Sequence, residues 1–438
     1  MRIALIEGEG IGPEITKSVV EILKIASPDT EFVNILVDYQ NGLTDENLNE
    51  IEQCDCLLKG PIGTSLGNGV RSLNVSLRQH FDLYANVRPA VSWLNRFKPF
   101  DPHRKNLDLI VIRENVEDIY QGVEYRHGEY AYAVKTISRY GSERIIRHAF
   151  EYAKMSGRNR VCAMSKPNIM KQTDGLFMET FNAISKEYPD IDTKHMIVDI
   201  GMARVVSRPE DFSIIVTENL YGDILSDITT EMSGSVGLGC SSNIGENFSM
   251  FEAVHGTAPD ITGLGIANPS GLLMAACEMF YHHGKNEIAN NIFNAWLVTL
   301  EDGILTTDMN DFSGGVSTGV FTNSIIARLD HCPKKGDPVD RKSVSVKIPQ
   351  VEPYSTISTI EGYDILIKGD YNNDYGNPII IHTSSMMTSK EITTYGMTTL
   401  RYRGVELNQI VENLMSRGYI IVRVDSLAIT DMKISHWT

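Results

Sequence analysis

Glu218-Asn219-Leu220-Tyr221-Gly222-Asp223-Ile224-Leu225-Ser226-Asp227 follows a short apolar run, Phe212 to Thr217, that reads as a strand. Asp223 and Asp227 are four residues apart, so a helix starting near Gly222 stacks both carboxylates on one face. Two hard oxygen donors one turn apart suit Mg²⁺ or Mn²⁺, ions that keep their other positions for water and substrate. On spacing alone a solvated helix face is the commoner explanation of such a pair.

Working outward, strands and helices alternate. Ile3–Ile6 reads as a strand, Gly8-Glu9-Gly10-Ile11-Gly12-Pro13 as a tight turn, and Glu14 to Ile25 as a helix. The turn resembles a dinucleotide fingerprint imperfectly, because the third glycine comes one residue early and Pro13 takes the first helical turn. A second cycle follows: strand Phe32–Val37, helix Asp45–Gln53, strand Cys54–Leu58. This alternation predicts an open, mostly parallel α/β sheet.

The 438 residues leave room for two or three domains. Hydrophobic residues make up 42% and charged residues 22%, an ordinary globular balance. No apolar run is long enough to span a membrane. The N-terminus enters a strand pattern directly, without a signal or transit peptide, so a cytoplasmic protein is expected. Cys54, Cys56, Cys162, Cys240, Cys277 and Cys332 lack metal or framework spacing, which implies reduced thiols. A net charge of −16 argues against a nucleic-acid binder. Residues 341–438 hold ten basic and ten acidic residues, so the whole excess lies in the first 340. An anionic substrate binding there needs a local basic cluster.

Arg78, Arg88 and Arg113 supply candidates. Arg78 follows a glycine-rich loop and a Ser/Asn segment; Arg88 and Arg113 sit near apolar strands. Guanidinium forks pair bidentately with carboxylates, so the three could form a cradle, or be unrelated surface arginines.

Together the motifs resemble the β-decarboxylating dehydrogenase family of isocitrate, 3-isopropylmalate, homoisocitrate and tartrate dehydrogenases. The matching pieces are Gly8–Glu14; Arg71-Ser72-Leu73-Asn74-Val75-Ser76-Leu77-Arg78; Ile112-Arg113-Glu114-Asn115-Val116-Glu117-Asp118-Ile119-Tyr120; Lys166–Lys171; Asn219–Asp227; and Phe251–Asp260. They occur in the family's order over roughly residues 1–330.

The resemblance implies an isocitrate/isopropylmalate dehydrogenase-like α/β fold. Its large domain would combine 1–97 and 255–332, its small domain would be 98–254, and a cleft would lie between them. Ser72 and Asn74 resemble the isocitrate enzymes, where isopropylmalate enzymes are apolar; both side chains can hydrogen-bond a third carboxylate. Arg78, Arg88 and Arg113 would hold the other carboxylates. By the same resemblance Lys171 and Asp199 serve the hydroxyl proton, Tyr120 protonates the enolate carbon, and Asp199, Asp223 and Asp227 hold Mg²⁺ or Mn²⁺. Phenol and ammonium have unperturbed pKa values near ~10, so a neighbouring cation or the metal is expected to lower them. The family is dimeric with shared sites, so Lys171 and Asp199 would come from a partner subunit.

Cofactor residues implied by the resemblance are Lys59, Thr64, Asn74, Glu252, His255, Gly256, Thr257, Ala258, Asp260, Ile261 and, at the adenine, Asn268. NADP-using relatives place lysine and tyrosine where this chain has Asp260 and Ile261. A carboxylate repels a 2′-phosphate but accepts a hydrogen bond from a ribose hydroxyl, so NAD is expected. Ser165, Val116, Glu9 and Gly63 depart from the family's usual residues.

Tyr125 to Ser138 alternates weakly, which fits strands that interlock two subunits or an ordinary surface hairpin. The polar, proline-containing stretch near 333–345 reads as a linker. Beyond it a small C-terminal α+β unit (346–438) is expected, with strands Tyr363–Lys368, Pro378–His382 and Tyr419–Val424 and a helix around Leu407–Met415. A role in assembly or in covering the cleft is one expectation for it, an inert appendage the other. The leading reading is an NAD-dependent isocitrate dehydrogenase acting on a tricarboxylate. The alternatives are a homoisocitrate or tartrate dehydrogenase, or a non-catalytic regulatory subunit of the same fold.

Overall fold

A computed structural model of the chain describes residues 1–39, 41–63, 72–97, 106–127, 129–310, 313–335 and 337–351. Further on it describes 359–368, 379–387, 394–403, 414, 420–430 and 433–434. The chain divides into two compact units, Met1–Val351 and Glu352–Thr438.

The first unit has twelve strands among the described residues. They are β1 (Arg2–Ile6), β2 (Glu31–Asn34), β3 (Cys56–Lys59), β4 (Ala85–Val91), β5 (Asp108–Glu114), β6 (Glu124–His127), β7 (Tyr130–Ala133), β8 (Arg160–Ser165), β9 (Asp192–Ile197), β10 (Ile214–Thr217), β11 (Cys240–Ile244) and β12 (Ser249–Ala253). The helices are α1 (Gly12–Ala26), α2 (Asp45–Glu52), α3 (Leu73–His80), α4 (Arg139–Ser156), α5 (Thr173–Ile184), α6 (Val198–Ser207), α7 (Asn219–Met232), α8 (Ser270–His282), α9 (Asn286–Glu301) and α10 (Thr318–Ile326).

Ten strands form one sheet in the order β2-β1-β3-β12-β11-β4-β5-β10-β8-β9. Both ends are parallel, as the alternation of strands and helices predicts. The middle is not: β11 pairs antiparallel with β12 and β4, and β4 with β5. The hairpin of β11 and β12 thereby joins the two parallel halves. Its strands are fully buried yet carry Ser241, Ser242, Asn243 and Glu252, which obscures them as strands in the sequence. β2 stops at Asn34, short of the expected Val37.

Apolar helix faces cover the sheet. Trp296 of α9 is fully buried, with Phe293 and Trp93 packed edge-on at 5.6 and 6.5 Å. Phe150 of α4 stacks on Tyr188 at 4.6 Å. β6 and β7 form a separate two-stranded hairpin, register Glu124↔Ala133 to His127↔Tyr130.

The stretch expected to be a linker is instead a strap fixed to α8 and α9. Backbone N–H groups of Lys334 and Lys335 donate to Glu301, Val339 exchanges two bonds with Asn294, and Arg341 forks onto Glu278. Val344, Val346 and Ile348 pack on the core. The boundary between units therefore falls after Val351, not near 345. The strap is held by side chains rather than by a backbone ladder, so it leaves no periodic pattern to read.

The second unit is an antiparallel five-stranded sheet, β14-β15-β13-β16-β17, built from β13 (Thr359–Lys368), β14 (Ile379–Met387), β15 (Thr394–Arg403), β16 (Ile420–Thr430) and β17 (Lys433–Ile434). β15, unexpected from the sequence, lies between β13 and β14. Of the helix expected around 407–415 only Leu414 lies within the described residues, and it is helical and buried.

Candidate active site

The buried strand β10 runs into α7, which starts at Asn219, three residues earlier than expected. Glu218 at the N-cap makes no side-chain cap. The helix is capped from elsewhere: Leu220 N donates to Asp118 Oδ2 at 2.9 Å. Asp118 is fully buried at φ +69°, a left-handed conformation that aspartate tolerates better than most residues. Asp118 opens the short 3₁₀ turn that carries Tyr120, so one carboxylate ties the tyrosine's turn to the start of α7.

Asp223 and Asp227 project from α7 into a cavity of about 250 Å³. Ser72, Asn74, Arg78, Arg88, Arg113, Tyr120, Lys59, Glu252, His255 and Gly256 also line it. The three arginines, on α3, β4 and β5, do converge. β4 and β5 place Arg88 opposite Val111 and Asn86 opposite Arg113, so both guanidinium groups reach the same face of α7.

Arg113 is 1% exposed. Its guanidinium contacts Asp223 Oδ1 and donates twice to Asn219 Oδ1, at 3.0 and 2.7 Å. Arg88 donates to Asn86 Oδ1 at 2.8 Å and Ser226 Oγ at 2.7 Å, and its Nη1 lies 3.5 Å from Asp223 and 3.7 Å from Asp227. Tyr120 Oη donates to Asp223 Oδ2 at 2.6 Å. Beneath them Glu252 accepts from Lys59 Nζ at 2.8 Å, Arg78 Nη2 at 2.9 Å and Asn243 Nδ2 at 2.9 Å.

Burial sets the electrostatics. Burial works to raise the Asp223 carboxyl, but Arg113 and Arg88 outweigh it and hold it below its ordinary value. Burial likewise opposes ionisation of Glu252, and Lys59 and Arg78 override it strongly, so this carboxylate stays charged. Burial, reinforced by the Arg88 charge, brings Arg113 down to about 10, still protonated at neutral pH. Burial pushes Tyr120 up to about 12, with the Arg113 charge opposing. It therefore holds its proton near neutrality.

Among the described residues no three acidic, cysteine or histidine side chains gather as a metal centre. Asp223 and Asp227 do converge on one cationic centre, as Arg88 Nη1 between them shows, so the pair fits two of a divalent ion's oxygen ligands. Asp199 lies at the start of α6, exposed and paired with Lys166 Nζ at 2.8 Å; Lys171 is also exposed, and neither lines the cavity. On residues that line the cavity, Asn74 Oδ1, Arg78 Nε and His255 Nε2 are buried with no hydrogen-bond partner among the described residues. Burial lowers the His255 imidazole below its ordinary value.

The loop after β12 is anchored to the glycine-rich turn by Ile11 N donating to Thr257 O at 3.0 Å. Gly10 (φ +60°) sits so close to Thr257 that no side chain fits there. Ala258 (φ +41°) then leads into the turn Pro259–Ile261, which exposes Asp260. Asn268, the expected adenine contact, follows this turn. It is buried, donates to Asp308 Oδ2 at 2.8 Å and accepts from Ser270 N at 2.9 Å, which fixes the orientation of its amide. Thr64 lies outside the described residues. The Lys59–Glu252–Arg78 cluster was not legible as an ion pair, since only the β3–β12 register sets Glu252 beside Lys59.

The family model described as isocitrate/isopropylmalate dehydrogenase matches residues 2–325. The isocitrate dehydrogenase [NADP] of Rickettsia bellii is 47% identical over 356 residues, covering 79% of this chain and 73% of that protein. Subunit 2 of the mitochondrial isocitrate dehydrogenase [NAD] of Saccharomyces cerevisiae is 43% identical over 336 residues, covering 75% and 90%. A crystal structure of a protein from Thermus thermophilus superposes with a TM-score of 0.86 at 31% identity, covering 99% of this chain and 95% of that one. With the sequence motifs in order and the arginines and aspartates around one cavity, the chain belongs to the isocitrate/isopropylmalate dehydrogenase family.

Proposed function

We propose that this protein oxidatively decarboxylates isocitrate to 2-oxoglutarate and CO₂ with reduction of NAD, as a homodimer with shared sites. Family membership and the relatives' names support isocitrate dehydrogenase-type chemistry. The observation that carries the substrate is the convergence of three arginines with Ser72 and Asn74 on a cavity that also holds Asp223 and Asp227.

Charge balance supports it. Lys59, Arg78, Arg88 and Arg113 give four positive charges; Glu252, Asp223 and Asp227 give three negative ones, a balance of +1. A divalent ion would raise this to +3, the complement of a tricarboxylate. An alkyl tail would leave Ser72 and Asn74 facing it without hydrogen bonds.

When bound at Asp223 and Asp227, a divalent cation supplies Lewis-acid stabilisation of negative charge on substrate oxygens, and the nicotinamide supplies the hydride acceptor. The chain's residues do the rest. Arg78, Arg88 and Arg113 orient the carboxylates. Tyr120, kept protonated by burial, donates a proton to the enolate carbon after CO₂ leaves. Lys171 and Asp199, exposed and away from this cavity, are assigned to the site of a second copy, where they serve the hydroxyl proton and the third metal position. Domain closure across the cleft excludes water from the reacting centre.

The relatives named above include both cofactor types, so the NAD assignment rests on Asp260 and Ile261. The test is turnover with Mn²⁺, isocitrate or another 2-hydroxy acid, and NAD or NADP, followed by reduced-nicotinamide absorbance, with the mass of the active species from light scattering. Turnover of another acid but not isocitrate sinks the substrate. Equal efficiency with NADP sinks the cofactor, and a fully active monomer sinks the shared site.

A further inference from the structure

Outside the cavity lies a second buried ionic cluster. Lys135, in the loop between β7 and α4, donates from Nζ to Asp174 Oδ1 at 2.7 Å and to Glu218 Oε2 at 2.5 Å. Its ammonium also sits 4.6 Å from the centre of the Tyr221 ring. The side chains of Asp174 and Glu218 are 0% and 1% exposed. With both carboxyl groups buried and the Lys135 side chain only 15% exposed, such a cluster is expensive, and an apolar trio of similar volume is commonly as stable, so stability alone is a weak reason for it.

Its connections supply another. Asp174 uses its second oxygen to accept from Lys166 N at 2.6 Å. The turn from Lys166 closes on itself, with Ile169 N and Met170 N donating to Lys166 O and Asp174 N to Met170 O. This turn carries Lys171. Glu218 immediately precedes α7, which carries Asp223 and Asp227. Tyr221, whose ring Lys135 covers, is one turn further along that helix.

On the function proposed above, we propose that Lys135 is a positioning residue. By gripping Asp174 and Glu218 together it locks the turn bearing Lys171 to the helix bearing the metal carboxylates. In a dimer with shared sites, α7 serves the chain's own site and Lys171 its partner's, so Lys135 sets both sites from one point.

Three variants test this in the full chain: Lys135→Met, Lys135→Arg and Glu218→Gln. Displacing supporting residues behind metal ligands typically weakens metal binding by about tenfold or more, and misplacing reacting groups lowers turnover by up to ~100-fold. Lys135→Met should therefore weaken Mn²⁺ binding, read by water-proton relaxation, by about tenfold and lower kcat at least as much, while KM for isocitrate moves less than about threefold. Lys135→Arg, which keeps the charge and can still donate to both carboxyl groups, should recover kcat to within about threefold of the unmodified protein.

A merely structural role shifts the melting temperature but leaves kcat and Mn²⁺ affinity of the folded protein within about twofold, and that result overturns the proposal. If Lys135→Met does not fold, Glu218→Gln decides: kcat lowered about threefold or more supports it, and unchanged kcat overturns it. If the unmodified protein turns over no isocitrate, the function above fails, and the Mn²⁺ titration still decides for Lys135.

Discussion

Gly222 lies flat against the Arg113 side chain: a Cβ on Gly222 would come 2.5 Å from Arg113 Cγ and 2.6 Å from its Cβ. The fully buried Arg113 stem can pack there only because α7 has no side chain at this position. Gly222→Ala replaces a poor helix former by the best one, worth up to ~1 kcal/mol of gained helix stability. Overpacking against a rigid buried neighbour costs about 1–3 kcal/mol and moves the guanidinium. The expected outcome is a KM for isocitrate raised about tenfold or more, at little net change in melting temperature. An unchanged KM would show that Arg113 does not bind substrate from this position.

Tyr120 meets the same helix through Asp223. Tyr120→Phe removes one half-buried hydroxyl and one bond to the carboxylate. Loss of a general acid typically lowers turnover by about 10²–10⁴-fold. The phenyl ring still packs near Arg113, so folding should be maintained. Asp223 loses a competing hydrogen bond, so Mn²⁺ binding should be no weaker. Weakened Mn²⁺ binding would place Tyr120 in a structural rather than a proton-transfer role.

How much of this the sequence discloses depends on distance along the chain. The β10–α7 junction and the Asp223/Asp227 pair are local, and their spacing predicts them. The arginine cradle is not local. Arg88 and Arg113 become neighbours only through the antiparallel β4–β5 register, and the alternation of strands and helices predicts parallel neighbours. The β11–β12 hairpin hides because its buried positions are polar, serving Glu252 and Asn86 rather than an apolar core. Nothing in the spacing of Lys135, Asp174 and Glu218 shows that the loop after β7, the first turn of α5 and the N-cap of α7 meet.

Acid stability offers a check on the buried histidines. His148 of α4 is 1% exposed and shares a 3.1 Å hydrogen bond with the Tyr84 hydroxyl. Burial, with the neighbouring His282 adding to it, brings its pKa down to about 3. A histidine depressed in the folded state is protonated first in the unfolded chain. Its contribution is therefore complete above the unfolded value near 6.5 and is lost as pH falls from there towards about 3. At about 1.4 kcal/mol per pH unit, roughly 2 kcal/mol is lost by about pH 5. His148→Gln should flatten the stability profile over that range in urea melts. An unchanged slope would assign acid lability elsewhere.

The strap predicts where the first unit can be cut. A chain ending at Val351 keeps Arg341 on Glu278 and the packing of Val344, Val346 and Ile348. It should melt cooperatively with the near-UV signal of a packed core. A chain ending at Pro338 loses these contacts. Stripping Val346 from the core, together with the partly buried Val344 and Ile348, exposes surface worth about 3 kcal/mol. Thermal melts of the two truncations should differ by several degrees, and coincident melts would make the strap dispensable.

Cofactor choice can be tested on the turn 259–261, where Asp260 is exposed and Ile261 is partly buried against the core. Asp260 is exposed on a turn whose geometry is set by its neighbours: Ala258 at φ +41°, Ile261 N donating to Ala258 O, and Ile11 N donating to Thr257 O. None of these bonds uses the side chains of residues 260 or 261. Asp260→Lys with Ile261→Tyr should therefore keep the turn, at the cost of repacking the partly buried position 261. It removes a carboxylate that repels a 2′-phosphate and adds a cation and a hydroxyl that can meet one. A charge reversal beside a phosphate is worth at least ~1.4 kcal/mol, so the ratio of kcat/KM for NADP over NAD should rise about tenfold or more. If that ratio stays put while the variant melts as the unmodified protein does, the turn at 259–261 is not where the cofactors are told apart.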